Sequence, residues 1–167
     1  IKALKTKKNI YAIIAPSFIG QFGVLASPIQ IVEGIKQLGF KDVVEVSLGA
    51  DITTLHEAKE FIQRVPEEIP FMGTSCCNSW TLMVEKLFPE QYDYISDSAS
   101  PMVETAKYIK QKDPDAIITF IGPCISKKLE ALRDDVKDYV HFVITFEELM
   151  GMFVAYNIEL SEIEVDK

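Results

Sequence analysis

The sequence predicts a single α/β domain in which a mainly parallel sheet is flanked by helices on both faces. Three observations carry that reading. Near-continuous apolar runs at 9–15 and 116–121 have the pattern of strands buried on both faces by crossover helices. Between such runs lie segments of helical period with their own caps and stops, so the order reads βαβαβα and implies right-handed crossovers. At 167 residues and 48% apolar, the chain holds enough material for one core, with no repeat or linker, so residues 1–167 read as one domain.

The first strand, 9–15, ends at Pro16-Ser17, and 18–22 reads as a short helical turn. Pro28 stands at a helix start, with Ile29, Ile31, Val32, Ile35 and Leu38 as its apolar stripe and Gly39 closing it. The run 42–48 reads as the second strand. Asp51 or Thr53 then caps a helix over 54–65, with Glu57 and Glu60 on its polar face, before a loop bracketed by Pro66 and Pro70. Phe71-Met72-Gly73 reads as a short third strand. The helix after it carries Trp80, Leu82, Met83, Leu87 and Phe88 as its stripe and stops at Pro89. Ser100-Pro101 opens a helix over 102–111, and 116–121 is the most strand-like run of all. A helix from Ser126 to about residue 134, a strand over 139–145 and a helix over 146–156 complete the pattern, with Thr145 and Glu148 spaced for a capping box. The polar, acidic stretch 157–167 reads as a frayed end.

A net charge of −8 argues against a nucleic-acid backbone or an anionic membrane as partner, since either calls for a basic face. No stretch approaches the roughly 18 apolar residues of a membrane span, and 1–8 lacks an apolar signal core, so a cytoplasmic protein is expected. Three cysteines, two of them adjacent, do not make a disulfide framework, which leaves thiol chemistry or metal binding. The opening without methionine points to an excised piece of a longer chain.

All three cysteines sit in two short stretches, Gly73-Thr74-Ser75-Cys76-Cys77-Asn78-Ser79-Trp80 and Gly122-Pro123-Cys124-Ile125-Ser126-Lys127-Lys128-Leu129-Glu130. Each follows a strand-like run and opens a helix-like one. Parallel strands would therefore bring both loops, with Ala15-Pro16-Ser17, to the sheet edge where open α/β sheets bind ligands. A cysteine at a helix N-terminus has its pKa lowered by the dipole and the free amides, and a thiolate is what a soft metal needs. Lys127, one turn beyond Cys124, would face the same crevice and donate to an anionic ligand. The residue types alone leave other readings open. Isolated cysteines also serve as small buried hydrophobes, Glu57 and Glu60 at i and i+3 are also ordinary surface carboxylates, and two thiolates are half of the set that normally holds an iron-sulfur cluster. His56 and His141 lack ligand spacing to any cysteine and read as structural.

The two stretches resemble the first two signature motifs of the diiron (FeFe) hydrogenases, T-S-C-C-P-x-W and M-P-C-x-x-K-x-x-E, in order and spacing. The likeness extends through Ala15-Pro16-Ser17, Ala50-Asp51 with Glu57 and Glu60, and 96–101, and so covers nearly the whole chain. It implies one lobe of an H-cluster domain, reversible reduction of protons to dihydrogen and a ferredoxin-like electron carrier, with a hydrogen-sensing member as a second form of the same reading. By this resemblance Cys77 and Cys124 would be two of the four thiolates on the 4Fe-4S cubane of the H-cluster, and Cys76 the free thiol that passes a proton to the diiron subsite. Lys127 and Ser17 would stand at cyanide ligands, and Glu57, Ser96 and Glu60 would relay protons. The third motif, which supplies two more cysteines, is absent. The remaining lobe of the domain is therefore an expected partner, and this chain alone is expected to hold no complete cluster and to be inactive. Asn78 replaces the usual proline, Gly122 the usual methionine, and Met102 a common polar residue. An iron-sulfur scaffold of the cytosolic cluster-assembly type is the alternative. Retention of Cys76, Lys127, Glu57 and Glu60 favours the hydrogenase, because a scaffold needs neither a proton relay nor a cyanide donor.

Overall fold

The computed structural model describes residues 2–6, 9–23 and 26–165. Four strands, β1 (Ile10–Ile14), β2 (Asp42–Glu45), β3 (Ile117–Gly122) and β4 (Phe142–Thr145), form one parallel sheet in the order β2-β1-β3-β4. Helices α1 (Lys2–Thr6), α2 (Pro28–Gln37), α3 (Ser47–Arg64), α4 (Asn78–Leu87), α5 (Pro101–Lys112), α6 (Ser126–Glu130) and α7 (Phe146–Ala155) surround it. The predicted α/β class, with helices on both faces of a parallel sheet, is the observed one.

The two central strands supply the core because nearly every residue in them is covered from both sides. Ile13, Ile14, Ile118 and Ile121 are at most 1% exposed, and each such side chain contributes roughly 1.5–3 kcal/mol by its burial. On one side α2 and the segment after α7 meet at Gly34, whose Cα faces Leu160 and Phe153. Elsewhere α3 packs along α5, and Thr53 donates to the Ala99 carbonyl at 2.9 Å. The capping boxes of α2 (Ser27 with Gln30) and α7 (Thr145 with Glu148) are both complete. Among the described residues no helix is long and apolar enough to cross a membrane.

Several boundaries differ from the sequence reading. The second strand ends at Glu45 instead of Leu48, and α3 begins at Ser47, well before residue 54. The Val46 amide still bonds the Ile14 carbonyl, while the Val46 carbonyl already accepts from Ala50, so strand passes into helix with no loop. Asp51 and Thr53 lie inside that helix and cap nothing. Phe71-Met72-Gly73 is not a sheet strand; only a bridge from Gly73 to Ile95 forms there. Helix α6 stops at Glu130, and turns follow. Of the apolar stripe read for α4, Trp80, Met83, Leu87 and Phe88 are largely exposed, and Val84 is the buried apolar residue of that helix. Leu160, read as part of a frayed end, is buried against α2; residues 166 and 167 of that stretch, like 1, 7 and 8 of the opening one, lie outside the described residues.

At the N-terminal edge of the sheet, Asp113 accepts from Lys41 (2.8 Å), Asn9 (2.8 Å) and Tyr11 (3.0 Å), which ties the end of α5 to β1 and β2. The Lys41 ammonium first, then Asn9, and Tyr11 against a partial burial cost, lower its carboxyl from the ordinary 3.8 to about 2. A depressed carboxylate stabilises the fold fully above its unfolded value and loses that contribution as pH falls through about 2. The melting temperature is therefore expected to fall on acidification between these two values, and Asp113→Asn should lower the melting temperature at neutral pH and remove that part of the acid slope. Thermal unfolding followed across acidic pH measures both.

Candidate functional site

Strands β1 and β3 are neighbours and parallel, so the loops that follow them leave the sheet at one end. The ladder continues one step past β1, with the Ala15 amide on the Ile121 carbonyl at 2.8 Å, before the 3-10 turn Pro16–Phe18 places Ser17 exposed at that edge. Strand β3 ends at Gly122. A Cβ there would lie 2.6 Å from the Phe120 ring and 3.1 Å from the Ala15 Cβ, so Phe120, on the same strand face, fills the space a side chain at 122 would need. Pro123 and Cys124 then lead into α6, with Cys124 half-buried.

The first cysteine loop arrives from outside the sheet. The Gly73 amide bonds the Tyr94 carbonyl and the Ser96 amide bonds the Gly73 carbonyl, both at 2.8 Å, which holds the loop against 94–96. Cys77 is the N-cap of α4, exposed and with no side-chain capping bond, so its thiol stays available beside the free amides of the helix start. Asn78, next in line and only 5% exposed, reaches the second loop: its Nδ2 donates to the Ser126 Oγ at 2.9 Å and the Ser126 carbonyl at 3.2 Å. A proline here could make neither bond, so the departure from the motif adds a stitch between the starts of α4 and α6. Lys127 makes a second link, donating from Nζ to the Cys76 carbonyl at 3.1 Å and to Glu130 Oε2 at 2.5 Å. The Cys76 thiol is exposed, 3.6 Å from the Thr74 hydroxyl.

Both glutamates of α3 face this loop region. Glu57 Oε1 accepts from the Ser75 amide at 2.9 Å and its hydroxyl at 3.3 Å, and the Ser75 hydroxyl also reaches the Ser98 carbonyl at 2.5 Å. Glu60 accepts from Ser96 and from Arg64, each at 2.5 Å. Burial acts to raise the Glu60 carboxyl, but the Ser96 hydroxyl, the Arg64 guanidinium and the Asp97 amide together outweigh it and leave the group below its ordinary value. Glu57 thus reaches the residue beside Cys76, while the Ser96 hydroxyl donates to Glu60 and accepts from the Ser98 amide. A polar cleft of about 540 Å³, lined in part by Arg64, Ser75, Ser96, Ser100 and Glu130, runs alongside.

Three of these residues carry no weight in the sequence reading, and a fourth, Asn78, stands there only as a departure from the motif. Arg64 stands four residues after Glu60, the spacing of a helical ion pair, a signal present in the sequence itself. Ser75 and Asn78 sit inside the first motif, yet their partners lie 18 and 48 residues away, beyond any local pattern. Ser100 reads in the sequence only as a helix start; its hydroxyl makes no cap bond and instead donates to the buried Glu130. Met102, flagged as a departure near the site, is a core residue at 1% exposure.

The donor set fits half of an iron-sulfur site. Cys76-Cys77 and Cys124 stand on loops that hydrogen-bond to each other, and soft thiolates are the ligands such clusters take. Among the described residues no group of three or more His, Cys, Asp or Glu side chains could hold a metal ion by itself.

Residues 8–167 match the family model described as iron only hydrogenase large subunit, C-terminal domain. Iron hydrogenase 1 of Clostridium pasteurianum is 33% identical over 180 residues, covering 95% of this chain and 31% of that protein. The cytosolic Fe-S cluster assembly factor NAR1 of Candida dubliniensis is 37% identical over 112 residues, covering 62% of this chain and 19% of that one. A solved HydA structure that reveals stepwise FeFe-hydrogenase H-cluster assembly superposes with a TM-score of 0.85 at 30% identity, over 99% of this chain and 49% of that one. The chain thus spans about half the length of that solved relative and under a third of the curated ones. With the two cysteine loops stitched together at one end of a parallel sheet and the family model matched across nearly every residue, the chain belongs to the family of the iron-only hydrogenase large subunit, C-terminal domain.

Proposed function

We propose that residues 1–167 form one lobe of an H-cluster domain whose activity is the reversible reduction of protons to dihydrogen. The observation that supports this most is the joining of the Cys76-Cys77 and Cys124 loops by the Asn78–Ser126 and Lys127–Cys76 bonds. Cys77 and Cys124 would hold two corners of the 4Fe-4S cubane, and the remaining lobe, as partner, the other two. The H-cluster, when bound, supplies the redox chemistry at its diiron subsite, with electrons from a ferredoxin-like carrier in the cytoplasm.

The chain's own residues handle the proton and the anionic ligands. Cys76, adjacent to a ligand and exposed, holds a transferable proton at Sγ, with Thr74 beside it. Glu57 holds the loop through Ser75. Glu60, kept as a carboxylate by Ser96 and Arg64, is a ready acceptor on the way to the surface. Lys127 uses two of its three donors on Glu130 and the Cys76 carbonyl, which leaves one for an anionic ligand in the cleft. Ser17 supplies a hydroxyl at the same sheet edge. A hydrogen-sensing protein would use this site at low turnover.

The assembly-factor relatives keep a second reading in view, since one of them is 37% identical over 62% of this chain. Exchange of dihydrogen with heavy water separates the two. A longer protein that carries this chain and the other half of the domain, reconstituted anaerobically, is expected to catalyse the exchange; bound iron and sulfide without exchange would favour the scaffold. Residues 1–167 alone are expected to fold and to show no diiron carbonyl or cyanide bands in the infrared.

A further inference from the structure

Helix α6 is held to the molecule in an unusual way. It spans five residues, and the only one buried is Glu130, a carboxylate at 3% exposure. The large apolar residues around it are exposed, Ile125, Leu129 and Leu132 at 70%, 58% and 75%, and only the small Ala131 at its C-terminus packs against the core. Hydrophobic burial therefore does little to fix this segment, and polar contacts must carry more of the load. Glu130 uses both oxygens. Oε1 accepts from Ser100, at the start of α5 and itself 5% exposed, and Oε2 accepts from Lys127, whose side chain is 12% exposed. From there Lys127 reaches the Cys76 carbonyl, 51 residues earlier in the chain.

We propose that Glu130, assisted by Ser100, is a positioning residue that holds Lys127 across the cleft on the Cys76 carbonyl, so that one buried ion pair, alongside the Asn78–Ser126 bonds, narrows the separation of the two cysteine loops. A largely buried charge pair at the edge of a cleft persists only with good geometry and its carboxylate lone pairs satisfied, and the Ser100 hydroxyl meets that need. Without Glu130 the Lys127 ammonium would turn to water, which an exposed cleft makes easy, and the Cys76 carbonyl would lose its partner. The meaning of that separation rests on Cys77 and Cys124 sharing a cluster; the clasp itself does not.

Spin labels on Cys77 and Cys124 in a Cys76→Ser background read the loop separation directly by electron paramagnetic resonance, in the 167-residue chain and with no metal present. A single narrow distance distribution is expected with Glu130 in place. Glu130→Gln should widen it about twofold, and Lys127→Met should widen it equally, with the double variant no wider than either, because both changes break one unit. Removing both charges at once avoids an unpaired buried ion, so Lys127→Met with Glu130→Leu keeps the test alive if a single variant fails to fold, and circular dichroism checks its fold. Ser100→Ala should widen the distribution less. A folded double variant with an unchanged narrow distribution would overturn the clasp. That result would leave the proposed function standing if the longer protein still bound iron, whereas a narrow distribution in a longer protein that bound none would uphold the clasp and count against the function.

Discussion

Replacing Cys76 by serine in a longer protein that carries the whole hydrogenase domain is expected to lower dihydrogen turnover by about 10²- to 10⁴-fold, the range lost when a positioned proton donor is removed. Iron and sulfide content should stay at the parent level. A serine hydroxyl is far too weak an acid to relay a proton as a thiol can. The exposed Sγ stands next to Cys77, the proposed ligand, without sharing its helix-capping position, since Cys77 and not Cys76 is the N-cap of α4. The loop's anchor should survive the change, because Ser75 is gripped through its own amide and hydroxyl by Glu57, and the Cys76 link to Lys127 uses a backbone carbonyl. Hydrogen evolution from a reduced dye, with iron analysis on the same sample, checks both parts. Loss of iron along with activity would instead make Cys76 a cluster ligand.

Gly49→Ala is expected to have the largest effect on stability. A Cβ at this position would lie 2.1 Å from the Pro101 carbonyl oxygen and 2.3 Å from the Thr105 hydroxyl, with the Thr105 amide at 2.8 Å. Two of these three atoms are backbone, and the Pro101 carbonyl is already the acceptor for the Thr105 hydroxyl, so nothing can swing aside cheaply. Relief requires α3 and α5 to part. Overpacking of this kind costs about 3 kcal/mol, which for a chain of this size is a drop of roughly 6–12 °C in melting temperature. The strain also reaches the site, since α3 carries Glu57 and Glu60 and α5 begins beside Ser100. Thermal unfolding by circular dichroism measures the effect, and a shift of less than about 2 °C would mean that the two helices are not held this tightly.

The legible parts of the fold are those in which one physical cause dominates. Strands β1 and β3 are nearly all apolar because they are covered on both faces, and the capping boxes of α2 and α7 are local by construction. The run 42–48 misleads for the opposite reason: Val46 and Leu48 have strand-forming composition, but the close approach of α3 to α5 at Gly49 draws Ser47 onward into helix, and tertiary packing overrides the local preference. Phe71 to Gly73 reads as a strand yet has only the Ile95 segment to pair with. The α4 stripe has helical period without being core: Trp80, Met83 and Leu87 are exposed although Trp80 and Leu87 stand on the same side of the helix as the buried Val84. At the site, the residue types that carry chemistry stand out in the cysteine motifs. Their supports do not, since Asn78 to Ser126, Glu57 to Ser75 and Ser100 to Glu130 are pairings made by the fold. Asn78 shows the limit most plainly: in the sequence it is a missing proline, and in the structure it is a hydrogen bond between the two loops.

The most direct measurement is the iron and acid-labile sulfide content of the longer protein after anaerobic reconstitution, with Cys77, Cys124 and Cys76 each replaced in turn by alanine. Loss of bound cluster iron in the Cys77→Ala and Cys124→Ala proteins, with iron retained in Cys76→Ala, is the result expected if the two stitched loops present two thiolates to one cluster. Full iron retention in either of the first two would contradict it.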